Sequence, residues 1–144
     1  MILRNLSPND VEEMRSIYLL YLDTGLPEER LRYLVKKHPA VCAVEDGQMI
    51  GFCYTNIFAP DIICIANIFV SEHYRNNGIG EKLLNSVLRQ AKKEKFVSAI
   101  LSNSVLYETK LEKKNPGKFY IKLGFEILYQ TPNTIVYLKK FCDD

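Results

Sequence analysis

The sequence has no Cys-x-x-Cys pair, no apolar run long enough to span a bilayer, no internal repeat and no low-complexity segment. Each absence removes a class of protein. Without closely spaced cysteines, neither a disulfide framework nor a thiolate metal site is expected. Cys42, Cys53 and Cys64 stand inside strand-like apolar runs, where cysteine behaves as a small hydrophobe, and Cys142 lies apart from them. The longest apolar stretch of interest, IICIA followed by Asn67 and IFV, falls far short of the ~20 residues of a membrane-spanning helix, so no membrane partner is expected. The opening MILRNLSPND lacks the basic start, apolar stretch and small-residue cleavage site of a secretory signal, which makes the cytoplasm the expected compartment.

What is present suits one folded domain over residues 1–144. A chain of that length can bury close to ~70% of its unfolded surface around a single core. The apolar share of 47%, the charged share of 25%, nine Tyr and seven Phe are those of a soluble globular protein. Net charge is only +2, but residues 1–72 carry 6 Lys/Arg against 10 Asp/Glu and residues 73–144 carry 13 against 7. The halves are therefore −4 and +6, which suits an anionic ligand on one side and a cationic one on the other, or ordinary solvated charge.

Residues 2–6 read as a short strand, and Ser7-Pro8 as the N-cap and first residue of a helix running to about Leu22, with Asp10 completing a capping arrangement. DTGLP (23–27) breaks it, and Glu28 to Lys37 reads as a second helix that ends before His38-Pro39. VCAVEDGQMIGFCYT is a hairpin around Asp46-Gly47, a dipeptide suited to a type I′ turn. Ile62 to Val70 is too apolar to face water on either side and reads as a central, buried strand. Apolar residues at 79, 83, 84, 87, 88 and 91 mark one face of a helix. FVSAIL (96–101) is another buried strand, Phe119 to Leu123 a short helix stopped by Gly124, and Phe125–Tyr129 and Thr134–Phe141 a closing pair around Thr131-Pro132-Asn133. The order βααβββαβαββ predicts an α/β fold with a single mixed, mostly antiparallel twisted sheet and helices on both faces. Ser102 to Gly117 is a long polar stretch, and loops of that length tend to be functional or mobile.

YRNNGIGEKLL (74–84) puts a cation, two asparagines and two glycines at the start of the most regular helix. A helix start leaves main-chain N–H donors unpaired, and such donors bind anions. Glycine lets a phosphate approach the backbone, and Arg75 can add a bidentate charge. A dinucleotide fold wants GxGxxG in its first strand-to-helix turn, but Leu83 holds the third glycine position and the turn lies halfway along the chain. A P-loop wants GxxxxGK followed by Ser or Thr, and no such run exists. A glycine turn that merely joins strand to helix needs no ligand.

With its surroundings, the stretch resembles the GCN5-related N-acetyltransferase (GNAT) family. The family signature R/Q-x-x-G-x-G/A after an apolar strand is matched by Arg75, Gly78 and Gly80. FVSEHYR keeps the spacing from the strand's last valine to the arginine, FYIKLGF (119–125) matches a Tyr four residues before a Gly-Phe, and the hairpin with Gly51 sits where the family has one. The resemblance implies a GNAT-like domain that uses acetyl-coenzyme A as cosubstrate, with no metal, and an amine acceptor that is a small molecule or a peptide. It implies that Arg75, Asn76, Asn77, Gly78, Ile79, Gly80, Glu81 and Lys82 surround the cosubstrate's pyrophosphate. It also implies that the strand ending at Val70 splays from the strand at 96–101, so that the pantetheine arm inserts and bonds backbone groups at Phe69 and Val70. Asn103 is then a side-chain contact for the arm, or simply a loop residue. Dimers are common among proteins of this kind, so a homodimer fits the resemblance.

By the same resemblance, the N–H of Val70 is the oxyanion donor and Tyr120 the acid that protonates the departing thiolate. A phenol pKa near ~10 keeps that proton in place at neutral pH. On residues alone, Tyr120 reads equally as a core tyrosine. Family members often carry Glu or His at alternate positions of the strand leading to Val70, but here those positions are Cys64 and Ala66. Asp61, Glu72, His73, Glu108 or ordered water would have to serve as the base, unless the acceptor arrives deprotonated. The acceptor is expected between the hairpin, the 22–29 loop and the 130–133 turn, where Asp23, Glu28 and Glu29 either draw a cationic amine or complement a helix dipole. Cys64 as a covalent acetyl carrier is disfavoured, because no neighbouring His activates it. The missing strand carboxylate motivates an alternative, a non-catalytic module that binds acyl-coenzyme A. Nucleic-acid binding through the basic half is opposed by the near-neutral total and the absence of an aromatic-basic motif, so no nucleic-acid partner is expected.

Overall fold

Turn chemistry sets the middle of the sheet in the computed structural model, which describes residues 1–21, 27–104 and 117–142. Asp46 and Gly47 take φ of 50° and 78°, the two left-handed residues that a type I′ turn requires, and they fold β2 (Ala40–Glu45) onto β3 (Gln48–Ala59). β3 pairs in turn with β4 (Ile62–Val70), the central apolar strand. With β1 (Ile2–Asn5), β5 (Ser98–Ser104), β6 (Glu126–Gln130) and β7 (Thr134–Lys140), these strands form one seven-stranded sheet in the order β1-β2-β3-β4-β5-β7-β6. Every neighbouring pair is antiparallel except β4 and β5, which run parallel. The mixed, mostly antiparallel sheet expected from the pattern is the one observed.

Two cores lie on its two faces. Helices α1 (Val11–Tyr21) and α2 (Glu28–Lys37) cover β1 to β4, burying Val11, Met14, Leu31 and Leu34 against Cys42, Phe52, Tyr54 and Phe69. The hydroxyls of Tyr18 on α1 and Tyr54 on β3 meet at 2.7 Å, which satisfies both where water is excluded. On the other face, α3 (Ile79–Lys93) presents the predicted stripe: Leu83, Leu84, Val87 and Ala91 keep no exposed surface. Each buried Leu or Val there is worth about 1.5–3 kcal/mol. The short α4 (Gly117–Lys122) closes the same core with Tyr120, beside Phe125 and Tyr137.

Several boundaries differ from the sequence reading, among them the short helix, which is Gly117–Lys122 where Phe119 to Leu123 was expected, and β6, which is Glu126–Gln130 where Phe125–Tyr129 was expected. The first helix begins as a 3-10 turn, Pro8–Asp10, and becomes α-helical only at Val11. The Asp10 carboxylate accepts the Ser7 N–H at 2.8 Å, and both terminal nitrogens of Arg4 donate to it at 2.9 Å, which keeps the entry tight. Its predicted end at Leu22 lies outside the described residues. The strand expected from Phe96 starts instead at Ser98. Lys95 takes a φ of 77°, so Phe96 donates to Ala91 at 3.1 Å and Lys95 to Lys92 at 3.1 Å, a Schellman closure with Phe96 folded onto the core. That strand also runs on to Ser104, so the polar stretch expected from Ser102 begins later, and residues 105–116 lie outside the described residues.

Candidate active site in the split sheet

β4 and β5 share a ladder only at their starts, where Ile62, Ile63 and Cys64 pair with Ser98, Ala99 and Ile100. Both strands continue, but apart. From Ile65 to Val70, β4 keeps its partner β3 on one edge and has no strand on the other among the described residues. The splay expected from the resemblance is therefore present.

Register decides which main-chain groups face the opening. Ser71 donates to the Ile50 carbonyl at 2.7 Å, so the 50/71 pair is hydrogen-bonded; the next pair, Gly51 and Val70, is then of the outward kind. The pattern alternates. Phe69 turns its N–H and carbonyl toward β3, and a Cβ on Gly51 would sit 2.8 Å from that carbonyl oxygen. Val70 and Ile68 point theirs into the gap. Phe69, expected to offer backbone groups to the pantetheine arm, thus directs them into the ladder and its ring into the α1/α2 core. Ile68 was missed, although alternation from Val70 was the signal that could have found it. Between Tyr54–Asn67 and Thr55–Ile65 the register slips, leaving Ala66 unopposed as a bulge. Ile63 and Ile65 before it, and Ile68 and Val70 after it, consequently face the same core.

At the end of β4 the chain makes a 3-10 turn, Glu72–Tyr74, and enters α3 through Asn76 (φ 67°) and Gly78 (φ 78°). The first helical bond runs from the Lys82 N–H to the Gly78 carbonyl at 3.1 Å. Donors before it, from Asn76 to Glu81, find no acceptor among the described residues, as expected for a helix start. Lys82 can thus bring only its ammonium to an anion. The carboxylate of Glu81 lies 3.4 Å from Lys122, and the Asn77 amide donates to the Tyr74 carbonyl at 3.4 Å. The two glycines differ in purpose. Nothing lies within 4 Å of a Cβ built on Gly78, whose need is its positive φ, whereas one on Gly80 would touch the Phe119 ring at 3.4 Å and Val70 at 3.7 Å. Gly80 thereby packs α4 and the end of β4 onto the start of α3. Arg75 donates from Nε to the Val70 carbonyl at 2.9 Å.

Tyr120 sits in the core under this opening, 8% exposed, with ring contacts to Phe119, Phe125 and Tyr137 at 5.3, 6.0 and 5.2 Å. Burial pushes its phenol well above the ordinary range, and Cys53 and Tyr137 are close enough to push it further. Cys53 is the cross-strand partner of Ile68, which places Tyr120 on the same stretch of sheet. No hydrogen-bond partner for its hydroxyl is found among the described residues. Asn103 lies on β5 opposite Ile135, one face with Leu101.

The basic candidates separate. Cys64 is half-buried, and burial raises its thiol above the usual range, which makes it a poor nucleophile. Asp61 precedes β4 at the end away from the opening, ~23 Å from Ile68 at 3.3 Å per residue. Glu72 and His73 are exposed in the turn after Val70. Glu28 is ion-paired with Arg32 at 3.4 Å and with Arg15 at 3.5 Å, so its charge is already answered, while Glu29 is exposed. Asp23 and Glu108 lie outside the described residues. All four cysteines are free thiols, and no cluster of three His, Cys, Asp or Glu among the described residues is arranged to hold a metal. No helix among them is long and apolar enough to cross a membrane.

Residues 36–127 match the family model described as an acetyltransferase (GNAT) domain. Among solved structures, the chain is similar to an aminoglycoside 6'-acetyltransferase type Ii (TM-score 0.82, 19% identity, covering 100% of this chain and 99% of that one). It is also similar to Ard1 from Thermoplasma volcanium (TM-score 0.81, 19% identity, 99% and 98%). A third is the PaiA N-acetyltransferase from Thermoplasma acidophilum, solved in complex with coenzyme A (TM-score 0.76, 19% identity, 97% and 98%). Nothing among the curated proteins matches.

Proposed function

The chain belongs to the GNAT acetyltransferase family, and from that premise we propose that it transfers acetyl from acetyl-coenzyme A to a primary amine by direct attack within a ternary complex. One observation carries the reading: the unpaired edge of β4 leads straight to the unpaired N–H groups at the start of α3. An extended arm can lie along the first as a substitute strand while its diphosphate meets the second. Arg75, Asn76, Asn77, Gly78, Ile79, Gly80, Glu81 and Lys82 then surround the diphosphate, and Asn103 faces the arm from β5. The enzyme acts in the cytoplasm, where thiols such as its four cysteines stay reduced.

The chemistry follows from the groups in the gap. The neutral amine's lone pair attacks the thioester carbonyl carbon, and the outward N–H groups of Val70 and Ile68 are the donors available to the oxygen that gains charge. As the C–S bond breaks, sulfur takes the Tyr120 proton, the ammonium formed on the acceptor loses one to water, and the Tyr120 phenolate takes one back from solvent before the next turnover. A phenol raised by burial is a weak acid, but a thiolate released into the same pocket is desolvated too, which raises its own proton affinity. No carboxylate stands at Cys64 or Ala66, so the acceptor is deprotonated by solvent or arrives neutral.

That missing carboxylate also favours a second reading, a module that binds acyl-coenzyme A without turning it over. Free-thiol release from acetyl-coenzyme A, measured against peptides, polyamines, amino sugars and amino acids with mass spectrometry of the products, separates the two. Amine-dependent thiol release is expected; stabilisation by acetyl-coenzyme A with no release from any amine would establish the binder.

A further inference from the structure

We propose that Arg75 is a positioning residue that fixes the open end of β4, beyond any charge it lends to phosphate; the proposal rests on the acetyltransferase reading above. Val70 is the last residue of β4, and its carbonyl points to the side that β5 has left. In a continuous sheet the next strand would supply a donor. Here Arg75 supplies it from Nε, at 2.9 Å, across the four residues Ser71 to Tyr74. That short loop is itself tied down, Ser71 to the Ile50 carbonyl at 2.7 Å and Tyr74 to the Ser71 carbonyl at 2.9 Å. The residue after Arg75 enters the left-handed turn that leads to α3. One guanidinium therefore links the edge that receives the thioester to the turn that receives the diphosphate, and a charge-assisted bond to a carbonyl is a strong way to do it. If the orientation of the Val70 peptide matters for transfer, Arg75 should matter even when the thioester has no phosphate.

Three substitutions separate donor from charge. Arg75→Gln places a neutral N–H donor the same number of bonds from Cα as the arginine Nε. Arg75→Lys keeps the charge but has no donor at that atom, and Arg75→Ala has neither. Each is compared with wild type in thiol release from acetyl-coenzyme A and from S-acetylpantetheine, which lacks the diphosphate, using the most active amine of the panel. With S-acetylpantetheine, Arg75→Ala and Arg75→Lys should fall by about tenfold, the loss of one such bond, while Arg75→Gln should keep severalfold more of the wild-type rate than either. An Arg75→Ala rate on S-acetylpantetheine equal to wild type, or Arg75→Lys as the best of the three, would overturn the proposal. Amide hydrogen exchange at Phe69 and Ser71 in the ligand-free protein gives a readout that needs no turnover. It should quicken in Arg75→Ala and not in Arg75→Gln, with melting temperatures as the check on folding. Unchanged exchange in Arg75→Ala would overturn the positioning role. Quickened exchange in a protein that acetylates no amine would sink the proposed activity and leave the positioning role standing.

Discussion

The two halves of β4 are alike in composition and unlike in their flanks. Ile62 to Cys64 pair with strands on both edges, β3 and β5, whereas from Ile65 to Val70 β3 is the only strand neighbour among the described residues. An unpaired edge inside a sheet leaves main-chain groups that must find partners. In the paired half those groups hold the fold together. In the other half they are offered to the Arg75 guanidinium and to a ligand. The site is thus made by withdrawing one strand from another, and chemistry-bearing side chains are sparse around it. The comparison holds only if damage to the open half costs activity and damage to the paired half costs stability.

The largest effect is expected at Tyr120, a buried hydroxyl with no hydrogen-bond partner among the described residues. General acid catalysis contributes ~10²–10⁴-fold, so Tyr120→Phe should lower kcat by at least about a hundredfold. The Kd for acetyl-coenzyme A, measured by calorimetry, should change far less; equal losses in both would reject the acid role. The sign of its pKa shift adds a pH test. An acid must be protonated, and its contribution is lost as pH rises through its pKa; burial raises that pKa above the ordinary ~10. Thiol release should therefore climb with pH as the amine loses its proton and show no falling limb below about pH 10.

A matched pair of substitutions tests the halves directly. Ile63 in the paired half has no exposed surface, so Ile63→Ala should cost about 2–5 kcal/mol in denaturant unfolding and leave kcat per folded molecule intact. Gly51→Ala, across from Val70, puts a Cβ 2.8 Å from the Phe69 carbonyl and 3.1 Å from Leu83, and overpacking of that kind costs about 1–3 kcal/mol. Because the yielding atoms belong to the open half, KM for acetyl-coenzyme A should rise as well. If both variants lose stability alone, the distinction between the halves fails.

The sequence carried most of this architecture and only part of the site, for physical reasons. Local signals are strong where one residue type has few options. Asp46-Gly47 can do little but turn, and the stripe from Ile79 to Ala91 has one way to bury itself. Glycines 78 and 80 marked the helix start correctly, but their different tasks, a left-handed φ and a flat face for Phe119, depend on contacts across the fold. The bulge at Ala66 and the parting of β5 from β4 have no local signature, since each follows from register between strands, in the second case strands more than thirty residues apart. That register makes Ile68 and Val70 face the gap and Phe69 face the ladder. Arg75 was legible as a cation just before a helix start and illegible as the partner of Val70, because the bond depends on how the intervening turn is folded.

A smaller effect is expected from Gly78→Val. A β-branched residue at a φ of 78° carries a left-handed penalty of about 1–2 kcal/mol, and nothing stands above it to clash. The turn must then relax away from the geometry that gathers its N–H groups, and Kd for coenzyme A should rise about tenfold with a small loss in melting temperature. Unchanged affinity would remove the diphosphate from this turn.

The smallest effect belongs to Asp10, on the far side of the sheet from the open half. Its carboxylate accepts from Arg4 and from the Ser7 N–H, and these bonds favour the charged form and hold its pKa below the usual carboxylate range. A group with a depressed folded pKa contributes stability that is fully present above its unfolded value, near ~4, and is lost as pH falls through the folded one. Asp10→Asn should cost about 1 kcal/mol at neutral pH, in line with a lost helix cap. The gap from wild type should narrow once the pH drops below about 4. Salt should shrink it too, because Arg4 is exposed. Coenzyme A affinity should not move, since Asp10 steadies α1 in the opposite core. A shift in that affinity would mean that strain in one layer crosses the sheet to the edge of β4, and that the open half is held by both cores.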